Sequence, residues 1–118
     1  MTVYVDDMRA SYGRLILCHM LASSDAELHE MAGRIGLSRK HWQRPTNTSG
    51  SHYDICLSKR AMAVAAGAVE VTMRQAAAMN ARRRVTGELG TPANALDWMR
   101  HYQATRRAAR NNHEEHQD

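Results

Sequence analysis

The sequence predicts an α/β fold: a small, largely parallel sheet of about four short strands flanked by helices, followed by a C-terminal helix. Two observations lead there. Short runs rich in β-branched or apolar residues alternate with longer runs of helical period, the pattern of strands joined by helical crossovers, which bring neighbouring strands parallel. The chain, at 118 residues, has room for one domain with a modest core and at most one appended element.

The first strand is Thr2-Val3-Tyr4-Val5, stopped by Asp6-Asp7. Leu15 to Met20 is a second apolar run of strand length, although periodicity alone also admits a helix there. Ser24-Asp25-Ala26-Glu27 has the form of a capping box, and Leu28, Met31, Ala32 and Ile35 then recur at helical spacing before Gly36. His41-Trp42-Gln43 reads as a third strand, and Arg44 to Ser51 as a loop of turn formers. His52 to Asp54 lead into a helix from about Leu57 to Ala66, ended by Gly67, and Val69-Glu70-Val71 is a fourth strand before a helix from about Met73 to Arg84. Thr91-Pro92 supplies a cap and a first-turn proline for a last helix reaching about Arg110. The division expected is an α/β core over 1–85, a helical extension over 86–110 and a disordered tail over 111–118, which has no apolar residue.

Two cysteines, Cys18 and Cys56, without C-x-x-C spacing, suggest neither a disulfide framework nor a zinc knuckle. No apolar run is long enough to span a bilayer and no leader-like start is present, so a protein of the cytoplasm, away from membranes, is expected. The net charge of +4 favours polyanionic partners. It is concentrated late: Arg82, Arg83, Arg84, Arg100, Arg106, Arg107 and Arg110 make up seven of the sixteen cationic side chains. Arg82 to Arg84 with Arg106 and Arg107 are the candidate nucleic-acid contacts, set against the alternative of a solubilising face that few aromatic residues interrupt. The last helix has a narrow apolar stripe of Leu96, Met99 and Tyr102, with Trp98 close by, which a homodimer would cover.

The densest chemistry lies in His52-Tyr53-Asp54-Ile55-Cys56-Leu57-Ser58-Lys59-Arg60. Read as the approach to a helix, it places Lys59 and Arg60 where the helix dipole disfavours cations, which points to an anion as their partner, and phosphate suits a helix N-terminus, a lysine and an arginine fork. The alternative is pairing with Asp54 or Asp6. His52 and Asp54 are the candidate catalytic pair, with His52 as general acid or base, and Tyr53 is a candidate wall for a base or sugar. Asp6 and His19 complete the ligand-binding set if His19 emerges from its apolar run; otherwise Asp6 caps a turn and His19 belongs to the core. Histidine plus aspartate would accept a divalent metal, the one cofactor these residues admit, although no compact ligand motif is present.

Met1 to Met8, Cys18-His19-Met20, Glu27-Leu28-His29 through Leu37, Trp42-Gln43, His52-Tyr53-Asp54, Ser58-Lys59-Arg60, Ala63 and Gly67-Ala68-Val69, taken as an ordered set over about residues 1–75, resemble the small bacterial and phage-associated family known as domain of unknown function 4031. The resemblance implies no reaction. Ser11 stands where such chains often have proline, and the loop from Arg44 to Ser51 departs from their pattern. Two functions follow. One is a protein that binds a phosphate-bearing ligand, nucleotide or nucleic acid, or processes its phosphoester; the other is a non-enzymatic phage accessory protein that binds DNA or a host macromolecule through its basic C-terminal helices.

Overall fold

The computed structural model describes residues 2–47 and 49–115. The chain begins with β1 (Val3–Val5), β2 (Ala10–Tyr12) and β3 (Leu15–Ala22), then α1 (Asp25–Arg34) and a 3-10 turn at Arg39–His41. β4 (Trp42–Gln43), β5 (His52–Cys56), α2 (Leu57–Ala65), β6 (Val69–Glu70), α3 (Met73–Thr86) and α4 (Pro92–Glu115) follow. The sheet has six strands in the order β4-β5-β3-β1-β6, with β2 also on β3. Only β1 and β6 are parallel, with Tyr4 opposite Val69; the other pairings are antiparallel.

The largely parallel, four-stranded sheet expected from the sequence is therefore corrected to a mostly antiparallel sheet of six. Two local causes account for the difference. Gly13, at φ 59, opens a two-residue hairpin turn that folds β2 back onto β3, a geometry that suits glycine at the first turn position. His52–Cys56, expected as the approach to a helix, is instead a strand held between β3 and β4. The crossover expected ahead of Val69 does exist, and it delivers the single parallel pairing.

Side chains alternate across this sheet and build two cores. On one face Val3, Val5, Cys18, Met20, Tyr53 and Ile55 pack under α1 and α2, against Leu28, Met31, Ile35 and Ala63. On the other face Tyr4 and Leu21 pack under α3 and α4, against Ala76, Met79, Leu89 and Ala95. Leu96 and Met99 pack at the edge of this second core, so the stripe that would motivate a homodimer is met largely within the chain. α1 starts as its sequence predicts, with the Ser24 hydroxyl accepting from the Glu27 N–H. α3 is capped by Thr72 and Gln75 reciprocally. α4 carries on past Arg110 to Glu115, and residues 116–118 lie outside the described residues. Among the described residues no helix is long and apolar enough to cross a membrane.

The three consecutive arginines of α3 part company. Arg83 turns inward and donates to the Ala22 carbonyl at 2.8 Å and to the Ser51 carbonyl at 3.4 Å, tying α3 to the end of β3 and to the start of β5. Arg82 packs beside Gly90, in the connection to α4, where a Cβ would press on its guanidinium. Arg84 is exposed. Replacing Arg83 by alanine strands two backbone acceptors and should cost about 2 kcal/mol, whereas Arg84→Ala should stay within about 0.5 kcal/mol. Urea unfolding of the two variants checks this, and equal losses would show that Arg83 is no anchor.

Candidate functional site

The site begins where β1 leaves the ladder. Asp6 still donates its N–H to the His19 carbonyl, but Asp7 and Met8 are then in excess over the partner strand, because the register resumes only with Ala10 opposite Leu17. The His19 N–H facing this gap is met by the Asp6 carboxylate at 2.9 Å. The same carboxylate takes the Met8 N–H at 3.2 Å and faces His19 Nδ1 at 2.7 Å. Asp6 is fully buried, so these bonds are what make its charge tolerable there. Asp7 takes the other direction and accepts the Met73 N–H at the start of α3.

β3 and β5 bring the remaining groups to His19. Asp54 lies directly opposite His19 in the antiparallel register, and His52 is two residues from Asp54, so all three project from one face while Tyr53 and Ile55 enter the core on the other. His52 Nε2 is 3.4 Å and His19 Nε2 is 3.8 Å from the Asp54 carboxylate, and the two imidazoles meet edge to face at 5.1 Å between centroids. His52 Nδ1 sits 2.7 Å from the Gly50 carbonyl. Gly50 itself passes so close beneath α3 that a Cβ there would run into the Asn80 amide.

Above this floor is a cleft of about 330 Å³, lined by His19, His52, Gly50, Met73, Asn80 and Arg84 among others. A longer groove of about 580 Å³ between α3 and α4 carries Arg84, Arg106, Arg107 and Arg110. The two share Ala81, Arg84 and Met99 in their walls. Along α4, Trp98 stacks on Tyr102 at 5.0 Å and Arg106 lies over the Tyr102 ring at 5.7 Å, which provides the aromatic interleaving that the bare sequence of the arginines lacks.

The residues singled out from the sequence are thus divided. Asp6, His19, His52 and Asp54 come together. Tyr53 is buried on the far face, its hydroxyl 2.8 Å from His29 Nδ1. Lys59 donates to the Ile35 carbonyl at 2.6 Å, at the end of α1. Arg60 donates to the Asp6 carbonyl at 2.9 Å and pairs with Glu70 at 2.8 Å. Arg84, Arg106 and Arg107 line the groove, and Arg82 and Arg83 do not. Sequence reasoning passed over Asn80 and the Gly50 carbonyl. No local pattern marks them, because it is the docking of α3 over the sheet that makes them site groups.

Burial pushes the Asp6 carboxyl up, but the His19 ring and N–H, the imidazolium charge and the Met8 N–H outweigh it and hold Asp6 below its ordinary value. The hydrogen bond to Asp6 raises His19 against the effect of its own partial burial, with further help from the charges of Asp6 and Asp54. Cys18 is no nucleophile: burial pushes its thiol up to about 11.

A family model described as "Protein of unknown function (DUF4031)" matches residues 3–83. The chain belongs to that family, and the match takes in all four residues of the cluster. No curated protein and no solved structure matches the chain.

The opposed shifts of Asp6 and His19 give the pair a pH window. A carboxyl held low contributes above its ordinary range and loses that contribution as pH falls through its folded value; a histidine held high contributes below its ordinary value and loses it as pH rises through its folded value. The pair should therefore stabilise most between about pH 4 and about pH 6.5. Melting temperatures in chelator, compared between the natural chain and Asp6→Asn, should differ most in that window, by about 2–3 kcal/mol in free energy, and less at pH 9. A difference independent of pH would dissolve the pair.

Proposed function

We propose that the cleft takes a phosphate-bearing ligand and processes its phosphoester, and that the ligand is a nucleic-acid strand led in along the arginine groove. The observation that carries this reading is the convergence of His19, His52 and Asp54, whose two histidines line a cleft with Arg84 in its wall. Phosphoryl chemistry asks for positive charge on the phosphate oxygens and for groups that move a proton or hold a cation at the reacting atom. Arg84 suits the first need, with the Asn80 amide beside it as a neutral donor, and the two imidazoles with Asp54 suit the second.

The groove favours a strand over a free nucleotide. Arg84, Arg106, Arg107 and Arg110 extend the positive charge well beyond what one phosphate group would use, and the stack of Trp98, Tyr102 and Arg106 offers a π-face to unpaired bases. The cations at Lys59 and Arg60 have intramolecular acceptors, so the phosphate is assigned to Arg84 and not to the start of α2. The basic C-terminal helices support the non-enzymatic reading too, in which the groove binds DNA and nothing is cut.

Fluorescence anisotropy with labelled single-stranded oligonucleotides should show binding that weakens steeply with salt. Arg107→Ala and Arg106→Ala should each lower the salt slope by about one and weaken binding to every sequence alike. His52→Ala should keep the strand and stop its cleavage. Absence of binding at low salt removes the proposal, and a strand bound but left intact by the natural chain supplied with divalent metal returns the groove to the non-enzymatic reading.

A further inference from the structure

The floor of the cleft has a further property. Both of its histidines are locked at the same nitrogen. His19 Nδ1 faces the Asp6 carboxylate at 2.7 Å and His52 Nδ1 faces the Gly50 carbonyl at 2.7 Å. The Asp6 carboxylate already accepts the Met8 and His19 N–H groups and the Gly50 carbonyl only accepts, so in each ring Nδ1 is the donor. That leaves both Nε2 atoms free to offer lone pairs, and both are turned towards the same Asp54 carboxylate. Three electron-pair donors facing one another are stabilised by a cation among them, either a proton on one Nε2 or a metal ion shared by all three.

We infer that His19 and His52, through Nε2, and Asp54, through a carboxylate oxygen, hold a divalent transition-metal ion of the zinc type, with Asp6 as the positioning residue behind His19. The three donor atoms all lie within 4.8 Å of one another. Around a tetrahedral zinc with bonds of about 2.0–2.1 Å, donor atoms stand about 3.3 Å apart; the two histidine–Asp54 distances, 3.4 and 3.8 Å, are near that value, and the two Nε2 atoms, within 4.8 Å, must draw together by at most about 1.5 Å. Two imidazoles and one carboxylate suit zinc, cobalt or ferrous iron and not magnesium or calcium, which prefer oxygen throughout. Asp6 to His19 and Gly50 to His52 are the outer contacts that ligating histidines ordinarily have, and they fix the tautomer before the ion arrives. Three protein ligands leave coordination positions open towards the cleft, as in catalytic and unlike structural zinc sites.

The position of the ligands in the fold agrees. His19 and Asp54 are cross-strand partners on β3 and β5, in the middle of the sheet, and the side chains are partly shielded, His52 being 11 % exposed and His19 32 %. The donors thus stand on the most rigid element of the chain and not on a mobile loop. This assignment goes beyond the phosphate reading and does not rest on it, since it follows from donor geometry alone.

The test is calorimetric titration of the metal-free full chain with Zn²⁺ in a buffer without phosphate, with Co²⁺ absorption as a second readout of coordination. One ion per chain with a Kd in the micromolar range or tighter is expected, and millimolar Mg²⁺ or Ca²⁺ should neither bind nor compete. His52→Ala and Asp54→Asn should each weaken zinc at least about tenfold, and Asp6→Asn, which touches no metal, should weaken it about 10–100-fold. Circular dichroism on the same samples identifies a variant that has lost its fold, and Asp54→Asn, at a half-exposed position with unchanged shape, then decides. Zinc affinity unchanged in Asp54→Asn, or no zinc bound by the natural chain at millimolar concentration, overturns the site. If zinc binds as described but oligonucleotides do not, the metal site stands and the phosphoester reading falls.

Discussion

The buried carboxylate of Asp6 is the constraint on which the rest of the molecule depends. A charge placed at 0 % exposure survives only if its lone pairs are used, and here they are used by the His19 N–H, the His19 ring and the Met8 N–H. That arrangement settles three things at once. It permits β1 to leave the ladder without stranding a backbone donor on β3. It holds the His19 ring in one orientation. It also turns the chain so that Asp7 reaches the first turn of α3, while the Asp6 carbonyl receives Arg60 from α2. Sheet, α2 and α3 thus meet at one aspartate, which is why its removal should be felt in the site and in the fold together.

The two faces of the sheet are unequal, and that inequality makes the cleft. Under α1 and α2 every inward position is apolar or, for Tyr53, has its hydroxyl paired. Under α3 and α4 the apolar part stops at Tyr4 and Leu21, and the next positions along β3 and β5 are His19, His52 and Asp54. α3 presents Ala76, Ala77 and Ala81 on the cleft side, so it lies close to the sheet without filling the space above the histidines. Filling it with large side chains would gain core and lose the site.

Much of this was legible in the sequence, and what was not has physical reasons. The helices α1, α3 and α4, the strands β1 and β3 and the association of His19, His52 and Asp54 with Asp6 were all readable from capping residues, apolar periodicity and the emergence of a histidine from a strand. β5 was misread because Ser49-Gly50-Ser51 before it and the apolar helical run after it both argue locally for a loop entering a helix. Yet His52, Tyr53, Asp54, Ile55 and Cys56 alternate partly exposed and buried, the period of a half-buried strand, and that signal was present. β2, Ala-Ser-Tyr, carries no such signal: its three residues become a strand only because Gly13 turns them onto β3. Antiparallel order is a tertiary outcome that alternating strands and helices do not determine.

The basic residues show how far a local electrostatic argument reaches. Two cations in the opening of a helix are disfavoured by its dipole, and the argument that they must have partners holds: Lys59 sits on the carbonyl at the negative end of α1, and Arg60 bridges the Asp6 carbonyl and Glu70. What the dipole argument does not contain is the identity of the partner, since a neighbouring helix end answers the same need as a phosphate. Arg84, Arg106, Arg107 and Arg110 differ in kind. They share one groove and come from two helices packed side by side, so like charges are gathered on one surface. The groove and the cleft share Ala81, Arg84 and Met99 in their walls, so these arginines stand beside His19 and His52 and not at the start of α2.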